Sequence, residues 1–302
     1  MTDLRLGIIG LSPGNGHPYS WSAIFNGYDA AEMARCPFPA IPEYLSRQIF
    51  PRDAISNAAV THIWTQDRAL SSSIARASRI RTVVEQASDM VGHVDALLLA
   101  RDDAENHEAI ASPFLDAGLP VYIDKPLALD VATAHRLYAR CQRPGQIFTG
   151  TALSFAPEFE LDAEQRKRLG RIRHVDAVAP KSWDLYAIHV IEPLIAIMAC
   201  EGSVCAARSI DDEGRHLDVE WTSGATARIT ALGSRQGALE IVVHGENGSV
   251  AMRLVDTFRA FKSALQAFVS VVRGQTPPQD QARILASIAL LEAGRIDSRL
   301  MP

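Results

Sequence analysis

Apolar runs and polar breaks alternate along this chain with one rhythm in its first half and another in its second. In the first half, apolar runs at Leu4 to Gly10, Val60 to Thr65, Arg81 to Val84, Val94 to Ala100, Val121 to Ile123 and Ile147 to Thr151 read as strands. Between several of them lie helical patterns, at Ser71 to Ser78, Glu105 to Ala117 and Val131 to Cys141. Strands alternating with helices predict an α/β domain with a doubly wound parallel sheet. Gly118 is the expected C-cap of one helix, and Leu119-Pro120 then turns the chain into the fifth strand.

From about Ala152 strand follows strand, at Ile172 to Val178, Val204 to Ile210, His216 to Thr222, Ala225 to Leu232, Leu239 to Val243 and Ser249 to Met252. Gly224, Gly233, Gly245 and Gly248 punctuate these runs as turns. This predicts a second, α+β domain on a largely antiparallel sheet. Two amphipathic helices, roughly Thr257 to Arg273 and Gln279 to Ser298, close the chain. The expected division is 1–150 for the α/β domain and 151–302 for the α+β domain.

Composition narrows the function classes. A length of 302 residues fits two domains, and 47% hydrophobic content supplies a core for each. With a net charge of −5 and both signs interspersed, there is no basic field to attract nucleic acid or an anionic membrane surface. No run is long enough to span a bilayer, and the N-terminus has no signal-peptide pattern, so the expected compartment is the cytoplasm. Cys36, Cys141, Cys200 and Cys205 are scattered without a disulfide framework or zinc-like spacing, so no metal site is expected.

The candidate chemistry collects at strand ends. Val121-Tyr122-Ile123 runs into Asp124-Lys125-Pro126, and ligands of open α/β sheets bind at the carboxyl ends of strands, which makes Lys125 the first catalytic candidate. Pro126 biases Lys125 towards extended backbone. Leu6-Gly7-Ile8-Ile9-Gly10-Leu11-Ser12-Pro13-Gly14-Asn15-Gly16 is a strand entering a glycine-rich turn, an imperfect dinucleotide fingerprint in which Ser12 replaces the second glycine. Gly10, Ser12, Gly14 and Asn15 are the expected pyrophosphate contacts. His17-Pro18-Tyr19-Ser20-Trp21 reads as a polar and aromatic loop, either facing cofactor or substrate or packed under an insertion from about Gly27 to Asn57, with a helix beginning only after it. The acid for the adenine ribose belongs at the end of the second strand, where Thr65, Asp67 and Arg68 stand; Arg68 suits a 2′-phosphate, so NAD and NADP both remain open. Arg101, Asp102, Asp103 and Asn106 form a polar run after the fourth strand, with Arg101 a cofactor candidate.

The order of these signals, with His107 after the fourth strand, Asp124-Lys125-Pro126 after the fifth and His189 in Tyr186-Ala187-Ile188-His189-Val190-Ile191-Glu192, resembles the glucose-fructose oxidoreductase, inositol dehydrogenase and MocA (Gfo/Idh/MocA) family. The resemblance implies an NAD(P)-dependent oxidoreductase for a sugar, sugar derivative or polyol, with a Rossmann-like dinucleotide-binding first domain and a second domain that binds substrate and forms a dimer or tetramer through its sheet. It places Lys125 beside the nicotinamide and reacting carbon, Asp124 in the place of the family's glutamate, His107 near the cofactor and His189 as acid/base. The family's aspartate four residues before that histidine is Leu185 here, and Asp184 sits one further back. Either the turn before the helix brings Asp184 round to His189, completing a catalytic set of Lys125, His189 and Asp184, or Tyr186 or Lys181 orients the imidazole. Trp183, Tyr186 and Lys181 are candidates to line a polyol pocket, with a core role equally open for Trp183. The alternative is a catalytically inactive dinucleotide-binding regulator of the same fold, and a third reading is a non-redox lyase or hydrolase holding its nucleotide as a prosthetic group.

Overall fold

A computed structural model describes residues 3–212 and 214–295. Its strands are β1 (Leu4–Ile9), β2 (Ala58–Trp64), β3 (Thr82–Val83), β4 (Ala96–Leu99), β5 (Val121–Ile123), β6 (Ile147–Thr149), β7 (Ile172–Ala179), β8 (Val204–Asp212), β9 (Gly214–Trp221), β10 (Thr226–Ala231), β11 (Glu240–Gly245) and β12 (Gly248–Arg253). The helices are α1 (His17–Asn26), α2 (Ala30–Met33), α3 (Ala40–Ser46), α4 (Arg68–Ala77), α5 (His107–Asp116), α6 (Val131–Ala139), α7 (Ala163–Leu169), α8 (Ile188–Ile197), α9 (Thr257–Val272) and α10 (Gln281–Arg295). The end expected for the last helix, at Ser298, lies outside the described residues. Packing divides the chain into two units, Met1–Leu127 with His135–Thr149 and Thr257–Gln279, and Ala128–Ala134 with Gly150–Asp256 and Asp280–Pro302.

The first unit is built on a parallel sheet of order β3-β2-β1-β4-β5-β6. Strands β4, β5 and β6 are buried along their whole length, as a sheet covered on both faces requires. The strand order reverses between β1 and β4, which opens a crevice at their carboxyl ends. The loop expected over His17 to Trp21 is instead the first turn of α1. Pro18 near the helix start gives up no hydrogen bond there, because the first N–H groups of a helix have no intrahelical partner. Residues Pro18 to Phe25 of α1 are all buried, and the insertion packs against this helix through Phe38 and Ile41, which lie against Gly16.

Aromatic rings tie α1, β5, β6 and α9 together. Trp21 stacks on Tyr122 at 4.8 Å, Tyr122 meets Phe148 edge-on at 4.8 Å, and both approach Phe268 of α9 at 5.6 and 5.5 Å. Each such pair adds about 0.5–1.5 kcal/mol beyond simple burial, and together they fix the strand that ends in Asp124 and Lys125. Helix α9 therefore belongs with the first unit although it follows the second sheet in sequence. Its apolar stripe of Phe258, Leu265, Phe268 and Val269 is buried there.

The second unit carries a sheet of order β12-β11-β7-β10-β9-β8, antiparallel except where β7 and β10 run side by side. Val175, Ala177, Ile229, Leu217, Ile241 and Val243 are buried on one face, which α8 and α10 cover. The alternate residues His174, Asp176, His216, Asp218, Arg228 and His244 form a half-exposed polar face, as the two-residue period of strands dictates.

Candidate active-site groups

In the first unit, the loop leaving β1 is shaped by glycines of two kinds. A Cβ on Gly10 would lie 2.2 Å from Pro18, and one on Gly16 would lie 2.5 Å from Ile41 and 2.6 Å from Phe38, so both serve close packing. Gly14 differs: its φ of 80° favours glycine, and nothing stands within 4 Å of its missing side chain. With α1 starting just beyond and no acid in its first turn, the backbone near Gly14 is open to an anion. The open backbone at Gly14 leaves room for a dinucleotide pyrophosphate, while the side chains of Ser12 and Asn15 are engaged on Asp102 and Asp124.

A polar network crosses the carboxyl ends of β1, β4 and β5. Ser12 donates to Asp102 Oδ1 at 2.6 Å, and Lys125 Nζ lies 3.1 Å from Asp102 Oδ2, the two charged side chains being 5% and 17% exposed. Burial would raise the Asp102 carboxyl, but the Lys125 ammonium and the Ser12 hydroxyl outweigh it and hold the group below the usual carboxylate range. Asp124 is buried and accepts from Asn15 Nδ2 at 2.9 Å and from the Lys125 N–H at 2.8 Å, while His17 Nδ1 lies 2.5 Å from its Oδ2. The His17 ring is stacked on Trp21, with centroids 4.9 Å apart. Asn15 also accepts from the His17 N–H at 2.8 Å. The glycine loop, Asp124 and Lys125 thus form one hydrogen-bonded group.

On the β2 side, Gln66 brackets the Leu11 peptide, accepting from its N–H at 3.2 Å and donating to its carbonyl at 2.9 Å. Arg101 donates to the same carbonyl at 3.0 Å and pairs with Asp103. Burial opposes ionisation of Asp103, but Arg101 and Asn106 prevail and keep its carboxyl below the ordinary range. Thr65 is buried with its hydroxyl used on Ser71 and the Asp67 carbonyl. Asp67 caps α4, accepting from the N–H groups of Ala69 and Leu70, and Arg68 pairs with Glu85 at the surface. His107 is fully buried, its Nδ1 3.1 Å from the Leu127 carbonyl and its Nε2 2.8 Å from that of Arg101, so it ties the segment after Pro126 to the loop after β4.

In the second unit, His189 Nδ1 lies 2.6 Å from Thr151 Oγ1, and the Thr151 N–H donates to Glu192 one turn further along α8 at 2.7 Å. Asp184 pairs with Arg295 at 2.9 Å, so the structure brings His189 together with Thr151 and Asp184 with Arg295. Lys181 donates to the Tyr186 hydroxyl at 2.6 Å, and the Tyr186 and His189 rings are 5.3 Å apart. Trp183 takes the core role: it is buried against Gly294 and donates to the Leu291 carbonyl at 2.8 Å. Among the groups that sequence reasoning did not single out are Gln66 and Thr151. The available signal was position alone, since each directly follows a strand at its carboxyl end.

A profile of an oxidoreductase family with an NAD-binding Rossmann fold matches residues 43–151, beginning after the irregular glycine loop and ending beyond β6. The model matched over this segment is that of the Gfo/Idh/MocA oxidoreductases. It is accordingly an NAD-binding oxidoreductase in class. YceM of Salmonella typhimurium, an oxidoreductase by inferred assignment, is 23% identical over 261 residues, covering 72% of this chain and 83% of its own. Among solved structures, myo-inositol dehydrogenase from Lactobacillus casei with NAD(H) and myo-inositol superposes with a TM-score of 0.75 at 12% identity, over 97% of this chain and 93% of the other. UDP-N-acetylglucosamine 3-dehydrogenase GnnA from Acidithiobacillus ferrooxidans does so with a TM-score of 0.71 at 15% identity, over 98% and 97%. These structures carry the fold. The segment before α8 is irregular, because Trp183–Ala187 form a π-helical turn. Such a turn accommodates an extra residue in a helix.

Proposed function

We propose that this oxidoreductase moves a hydride between a nicotinamide dinucleotide and a secondary alcohol or ketone of a sugar, sugar derivative or polyol. The reading rests above all on the Lys125 ammonium, nearly buried at the carboxyl edge of the parallel sheet and paired with a carboxylate that also holds the glycine loop. The bound dinucleotide supplies the hydride acceptor or donor. Lys125 hydrogen-bonds and orients the substrate oxygen, and His189, held at Nδ1 by Thr151, is the proton-transfer group. Similarity to an inositol dehydrogenase and a nucleotide-sugar dehydrogenase supports a polyhydroxylated substrate. The half-exposed polar sheet face supports self-association, and four free thiols with no helix long and apolar enough to cross a membrane among the described residues support a cytoplasmic setting.

Titration with NAD(H) and NADP(H), followed by an absorbance screen at the nicotinamide band against sugars, cyclitols and nucleotide sugars, tests this reading. Lys125→Ala and His189→Ala are expected to lower turnover by about 10²- to 10⁴-fold with little change in dinucleotide affinity. Failure to bind either dinucleotide would overturn it. One observation favours the inactive regulator as second reading: Gln66 and Arg101 already engage the backbone at Leu11, inside the fingerprint loop. Binding without turnover across the panel would favour that reading.

A further inference from the structure

Lys181 and Arg79 are the two described non-glycine residues with positive φ, at 62° and 54°. Left-handed backbone is unfavourable for a lysine and persists only where the surroundings impose it. Here they do. Lys181 forms a bridge with Gly233 beside the sheet, and the π-helical turn Trp183–Ala187 follows directly. The result is a defined contact: Lys181 Nζ lies 4.4 Å from the centroid of the Tyr186 ring while donating to its hydroxyl oxygen at 2.6 Å. The same phenol stands beside His189, ring to ring at 5.3 Å. A strained backbone position and a π-turn thus combine to hold one lysine on one tyrosine next to the proposed proton-transfer histidine.

We propose that Tyr186, held by Lys181, is a second catalytic acid/base of this oxidoreductase and is the group that touches the substrate hydroxyl. This rests on the dehydrogenase reading above. An ammonium that donates to the phenolic oxygen leaves the phenol's own hydrogen directed elsewhere and compensates the negative charge that remains once that hydrogen has gone. In alcohol oxidation the substrate O–H bond breaks and its proton passes to the Tyr186 oxygen as the phenol's own proton leaves that oxygen. The hydrogen of the adjacent C–H bond leaves with its electron pair for the dinucleotide, so the alcohol carbon is oxidised to a carbonyl and the nicotinamide is reduced. His189 takes the proton onward from Tyr186, and in reduction the steps reverse. Lys181 is a positioning residue in this scheme, acting through Tyr186.

Two measurements test the proposal, one of them independent of turnover. Tetranitromethane, which attacks ionised phenols, is applied to the dinucleotide-free protein and the modified peptides are identified by mass spectrometry. Of the six tyrosines, Tyr186 is expected to be set apart by its rate, and Lys181→Met to change that rate by roughly tenfold, because the Lys181 ammonium lies on its ring and hydroxyl. Lys181→Arg should restore it. In turnover, Tyr186→Phe should lower kcat by about 10²- to 10⁴-fold with KM and dinucleotide affinity nearly unchanged, and Lys181→Met should alter the alkaline side of the pH–rate profile where Lys181→Arg does not. Nitration of Tyr186 at the rate of the other half-exposed tyrosines, indifferent to Lys181→Met, would overturn the proposal, as would a fully active Tyr186→Phe. Absence of dinucleotide binding would instead overturn the dehydrogenase reading, and leaves the nitration result standing by itself.

Discussion

Asp102 illustrates how one carboxylate sets the character of a site. It faces a nearly buried ammonium on one side and the serine that replaces a fingerprint glycine on the other. Asp102→Ala leaves the Lys125 ammonium without this counter-charge, which should cost about 3 kcal/mol in denaturant unfolding. The pH dependence has a definite sign. Because the folded-state carboxyl sits below its ordinary range, its stabilisation is complete above the unfolded value near pH 4 and disappears as pH falls through the depressed folded value. The stability gap between wild type and Asp102→Ala should therefore be full at neutral pH and narrow in acid; a gap that stays constant down to pH 2 would contradict the assignment. Lys125 was legible in the sequence because a strand end and a proline mark its place. Its partners were not. Asp102 and Ser12 are separated from it by 23 residues and by a whole strand–helix series, and only folding brings them together.

Elements explain which candidates are already committed elsewhere. The end of β2 is where a ribose-binding acid belongs, yet Asp67 has extended backbone and its side chain accepts two N–H groups at the start of α4. Asp67→Ala should cost about 1 kcal/mol of stability, whereas Asp67→Asn, which caps equally well, should cost almost none. If dinucleotide affinity follows capping, falling with Ala and not with Asn, Asp67 acts through α4; a loss with both variants would mean that the carboxylate itself meets the ligand. Helix α1 shows the converse limit of sequence reading. Pro18 and the polar character of His17 and Ser20 read as a loop, but proline is at home in a first helical turn, and burial of Tyr19, Trp21, Ile24 and Phe25 supplies the stability that local propensity lacks. The Asp184 spacing is a further case. A π-helical turn is invisible to a 3.6-residue pattern, and the partners of Asp184 and His189, Arg295 and Thr151, lie far from them in sequence.

At the scale of the whole molecule, the two sheets were readable because alternation of strand with helix and succession of strand on strand are global patterns that tolerate local errors. The path of the chain between the units was less so, because amphipathic periodicity says that α9 buries a face without saying against what. That ambiguity decides where the chain can be cut. A fragment ending at residue 150 contains every strand of the parallel sheet but lacks α9, whose Phe268 lies against Tyr122 and Phe148. Removing α9 uncovers those rings and forfeits the burial of Phe258, Leu265, Phe268 and Val269, each contributing about 1.5–3 kcal/mol. Since domains of this size are stable by only about 5–15 kcal/mol in all, the fragment should fail to fold cooperatively, binding a hydrophobic dye and succumbing to protease where the full chain resists. Rejoining residues 257–279 through a flexible linker should restore a sharp unfolding transition, because it returns the missing face without adding any part of the second sheet. A fragment 1–150 that unfolds as sharply as the linked version would show that α9 is a cover on a finished core; the ring contacts argue that it is one wall of that core.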